Sequence, residues 1–223
     1  MTADERPRPH RPAVRADLTD LIDAGGGAAP PSRAEIASAT AAALVGAGRA
    51  SGGDGQVSAD MLIGLADRVG LDTLAELWRD ADPVSLPGSL WALYLLRQWC
   101  HSHGDEVTRL WRAGEALAPA DAVVAGVGDY ADVQAVQRVA DAVLTGAYRG
   151  DFAVALERAA AVFRVIAAGR RDVLEPPQTA DAQVTGPQPS APQTGASELA
   201  QRNEAVAERL TRAAALWREG KLH

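Results

Sequence analysis

The stretch 151–168, DFAVALERAAAVFRVIAA, constrains the fold more than any other part of the chain. Beyond Asp151, which can cap a helix start, its only polar members are Glu157, Arg158 and Arg164. Phe152, Val154, Leu156, Ala159, Val162, Phe163, Val165 and Ile166 leave no wide polar face. A helix that is apolar nearly all round has to be covered on most of its circumference. The sequence therefore predicts one central helix over 151–168, with other helices packed around it. Gly169, Arg170 and Arg171 mark its end, where basic side chains face the negative pole of the helix dipole.

The rest of the composition agrees with helices. Alanine fills roughly a fifth of the chain, high against ordinary usage, and it is the best helix former. Hydrophobic residues make up 47%, enough for a packed core, and aromatic residues only 4%. The reading is all-α: an antiparallel bundle of about seven helices, with a disordered N-terminal arm and a linker-tethered C-terminal helix. Among 22 basic residues only Lys221 is lysine. That Arg bias, with abundant Ala and Gly, suggests a GC-rich genome such as an actinobacterium's.

Four regions follow from the punctuation. Residues 1–31 read as a flexible arm, with Arg6, Arg8, Arg11 and Arg15 and five prolines. An apolar island, Leu18, Leu21 and Ile22, interrupts it. Residues 32–171 read as the helical core. Ser32 with Glu35 forms a capping box for a helix ending near Ala47. Ser58 begins a second helix carrying Met61, Leu62, Leu65 and Val69. Asp72 starts a third with Leu74, Leu77 and Trp78. Pro83 and Pro87 make 79–88 a connector, so Ser89 is read as the next cap. Residues 101–104 form a turn into a helix closed by Pro119, the two making an antiparallel hairpin. Asp132 opens one further helix, and Gly150 turns it into the apolar helix with room for positive φ. Residues 172–196 carry five prolines and read as a linker. Residues 197–221 read as an amphipathic helix. In it Leu199, Val206, Leu210, Ala213 and Trp217 fit a heptad, with Asn203 at an a position that can specify register. That helix either folds back on its own core or binds a partner or a second copy.

Candidate chemistry is sparse. Cys100, His101, Ser102 and His103, beside Asp105 and Glu106, form the most chemical-looking cluster. Adjacent residues rarely all reach one metal, and no second Cys/His pair completes four ligands. With one cysteine the chain has no internal disulfide, which favours a reducing compartment. Gly126-Val127-Gly128 follows an apolar run, but no βαβ pattern surrounds it and Asp132 would repel a phosphate at the next helix start. It reads as a turn. Trp78, Trp91, Trp99 and Trp111 lie among core-type neighbours, with a ligand groove as the other reading. A net charge of −7 argues against nucleic acid. No stretch reaches the roughly 18 apolar residues of a membrane span, and the first residues lack the apolar region of a signal peptide.

Residues 138–168 have the shape of one tetratricopeptide-type helical pair, without the 34-residue period of such repeats. A further resemblance rests on residues 86–99 (LPGSLWALYLLRQW), 121–129 (DAVVAGVGD) and 141–170 (DAVLTGAYRGDFAVALERAAAVFRVIAAGR). In these segments the chain resembles an uncharacterised actinobacterial helical protein family. That resemblance implies no particular chemistry, and a transcription-linked role only distantly.

The expected function is a non-enzymatic, cytoplasmic interaction or oligomerisation module without a cofactor or metal. The partner, a protein or a second copy, would bind through Leu199, Asn203, Val206, Leu210 and Trp217. The other reading is a small-molecule or metal-binding regulatory domain using residues 100–106.

Overall fold

The structure, a computed structural model, describes residues 32–50, 71–127, 131–174 and 191–223. The expected arm, the helix read over 58–69 and most of the linker lie outside the described residues. Among those described there are eight helices: α1 (Arg33–Ala50), α2 (Leu71–Trp78), α3 (Leu86–Ser102), α4 (Gly104–Gly114), α5 (Pro119–Ala125), α6 (Val133–Arg149), α7 (Phe152–Leu174) and α8 (Ala191–Arg218). No strand occurs among the described residues, and none of their helices is long and apolar enough to cross a membrane.

Helix α7 is the hub. Helix α8 lies along it, α4, α5 and α6 pack on it, and α3 touches it. Phe152, Leu156, Ala159, Val165 and Ile166 are fully enclosed. Asp151 caps its start by accepting from Ala153 N–H at 2.9 Å. The helix runs on past Ala168, where the sequence placed its end. Gly169 does not terminate it, because α4 crosses there almost backbone to backbone. A Cβ on Gly169 would overlap the Leu110 carbonyl oxygen, and one on Gly114 would overlap that of Val165. Two glycines facing each other give that crossing its close approach.

The outer layer differs from the sequence reading in several places. Helix α3 begins at Leu86, not after Ser89. Ser85 is its cap, with its hydroxyl accepting from Gly88 N–H at 3.2 Å. Pro87 falls in the first turn, where a missing N–H costs nothing. Ser89 is left inside the helix, fully buried. Helices α3 and α4 are separated by His103 alone and touch little; α3 packs on α6 and α4 on α7. Pro119 opens a short helix, α5, for the same first-turn reason. Gly126 then ends α5 at φ 78°, while the Arg158 guanidinium donates to the Ala125 carbonyl at 3.1 Å. Gly150 has φ −113°, so the α6–α7 turn uses no left-handed residue. Helix α1 continues through Gly46 and Gly48 to Ala50. Its packing through Ala37, Ala41 and Val45 outweighs about 1 kcal/mol per glycine.

Helix α8 folds back on its own core. Its start lies six residues ahead of Ser197, so the segment between α7 and α8 is shorter than 172–196. Ala200, Ala207, Leu210, Ala213 and Ala214 are its buried stripe. Arg171–Glu204 at 2.7 Å and Arg218–Glu157 at 2.8 Å pin the antiparallel pair at two levels. Arg164 bridges at a third level, reaching Asp121 at 2.9 Å and the Thr211 hydroxyl at 2.6 Å. The Arg171–Glu204 and Arg218–Glu157 pairs are solvent-exposed, so they set register more than they add stability.

Candidate functional site

An apolar opening lies between α1 and the end of α8. Helix α1 turns Ala37, Ala41 and Val45 toward the core and leaves Ala39, Ala42, Ala43 and Gly46 exposed. Small side chains on that face leave a hollow of about 480 Å³, closed by Val45, Leu86, Trp217 and Leu222. Ser38 and His223 are its polar members beside the Trp217 indole. Ser38 also lines a second hollow of about 400 Å³ on the α2 side, together with Arg33, Asp80 and Asp82. Arg33 and Asp80 approach to 3.5 Å there.

Three local devices position the walls. The Trp217 ring meets Phe152 at 4.8 Å between centroids, tilted by 59°. Gly220, at φ 68°, closes α8 with Gly220 N–H donating to the Trp217 carbonyl at 3.0 Å and Lys221 N–H to the Leu216 carbonyl at 2.8 Å. This is a Schellman turn, which needs a left-handed residue and so favours glycine. It sends Leu222 back into the molecule, where it is only 5% exposed. Leu86 N–H, otherwise an orphan at the start of α3, then donates to the His223 main-chain oxygen at 2.9 Å. Beside this, the Arg218 hydrogen bond holds the Glu157 carboxyl below its usual range, and the same bond raises Arg218.

The heptad residues do not form one free face. Leu210 is buried against the core, while Val206 and Trp217 are half-buried and pack on it. Leu199 is 41% exposed. The Asn203 amide nitrogen is buried without a hydrogen-bond partner, so the polar a position lies in an intramolecular seam. Of the five, Trp217 alone reaches the hollow.

The residues of the Cys100 loop diverge. Cys100 is 1% exposed and lines a small apolar cavity with Leu96, Trp111, Val139 and Val162. Burial, helped by the Asp141 charge, pushes its thiol up to about 12. His101 reaches Asp141 at 3.1 Å, on the oxygen that Arg97 also holds at 2.7 Å. Glu106 pairs with Arg170, which lies over the Trp99 ring. His103 is exposed. Among the described residues no three His, Cys, Asp or Glu side chains gather as a metal site would require. In the 123–127 run, α5 and its left-handed Gly126 replace the strand that a dinucleotide fingerprint needs.

The Trp readings divide. Trp78 and Trp111 are fully buried; Trp91 and Trp99 are half-buried against the core. The hollow's other walls, Ala42, Leu86 and Leu222, carried no functional signal in the sequence. The available cue was local: Gly220 two residues before Leu222, at the end of an amphipathic helix. Comparison with protein-family models, curated proteins and solved structures returned no match.

Proposed function

We propose that this protein is a non-enzymatic helical interaction module of the cytoplasm, and that the α1–α8 hollow is where it takes hold of an apolar segment of a partner protein. One observation carries the reading: an opening of about 480 Å³ with Val45, Leu86, Trp217 and Leu222 as walls and small residues on the α1 side. That volume and lining are typical of sites that accept large apolar groups, and the half-buried Trp217 is the residue type enriched among binding hot spots. The reading keeps the C-terminal helix as the binding element but moves the contact from its heptad face to its Trp217 end.

The test is Ala42→Glu, which places a charge in the hollow at an exposed position where the fold tolerates it. A partner captured by the full chain is purified and titrated against both proteins by calorimetry. Affinity at least tenfold weaker for Ala42→Glu, with unchanged helical circular dichroism and melting temperature, is the expected result. Equal affinity removes the hollow from the interface. Native mass spectrometry of the wild type covers the second occupant that the lining allows: a bound apolar small molecule, lost in Ala42→Glu, would replace the protein partner.

A further inference from the structure

We draw no further inference here: the strongest candidate, the exposed apolar patch of Leu117, Val123 and Val124 at the α4–α5 corner, is an unpartnered face and nothing in the structure shows what covers it.

Discussion

Glycines in this molecule divide by what a methyl group would meet. At Gly114 and Gly169 it would meet backbone of the crossing helix, which cannot rotate away. At Gly46, exposed on α1, it would meet nothing within 4 Å. Alanine at Gly114 or Gly169 should therefore cost about 3 kcal/mol through forced separation of the helices, whereas Gly46→Ala should add about 1 kcal/mol. Urea titrations of the three variants check the opposite signs; a common sign would mean the crossing is not tight. Cys100 gives a second prediction. Its folded thiol keeps its proton to about pH 12, while in the unfolded chain it ionises near 9. The unfolded chain thus binds fewer protons between those values. Stability from this group is whole below pH 9 and is lost as pH rises toward 12, at up to about 1.4 kcal/mol per unit. Tyr148 acts in the same direction, raised first by burial and then by Tyr94, whose hydroxyl lies 2.7 Å from its own. Unfolding free energies at pH 8, 9.5 and 10.5 should fall less steeply in Cys100→Ala than in the wild type. Parallel slopes would show that burial does not hold the proton.

At the level of elements, the α7–α8 pair carries the most consequential contrast. Leu210 is 1% exposed in the seam, and Leu210→Ala should cost about 2–4 kcal/mol. Asn203 contributes the reverse: its amide nitrogen, buried without a hydrogen-bond partner, opposes docking. Asn203→Ala should raise stability by about 1 kcal/mol, from the relieved donor and better helix propensity, with mass by light scattering unchanged. A lower urea midpoint, or a change in mass, would give Asn203 a partner elsewhere. These two residues also show what a single chain reveals about its elements. The near-continuous apolar character of α7 and the apolar period of α8 were plain, because burial imposes both on the residues themselves. The direction in which α8 folds was not, since a heptad stripe looks the same against its own core as against another molecule. Helix ends were the least legible feature. Pro87 and Pro119 read as terminators yet stand in first turns, and Gly169 read as a stop yet serves a crossing. In each case one residue type has two uses, and only the neighbouring helix decides between them.

Across the molecule, the sequence located the hub and missed the opening. The hub was legible because Phe152 to Ile166 has no wide polar face, although Val154 stays 45% exposed. The hollow is built from Val45, Leu86, Trp217 and Leu222, brought together from three distant parts of the chain, and no local pattern encodes that meeting. The order in which such parts come together has its own consequence. Helices α6, α7 and α8 are consecutive, so their pairing can start at the connections 150–151 and 175–190 and spread outward, whereas the glycine crossing joins residues 114 and 169 across the whole of α5 and α6. The consecutive helices should pair before the folding barrier, and α4 should dock after it. In stopped-flow experiments Gly114→Ala should then speed unfolding while leaving the folding rate almost untouched, and Leu210→Ala should slow folding. A folding rate lowered by Gly114→Ala would place the crossing in the nucleus. On this ordering, the backbone-to-backbone crossing at Gly114 and Gly169 is a lock that closes last, and it governs how long the native state survives rather than how quickly it is reached.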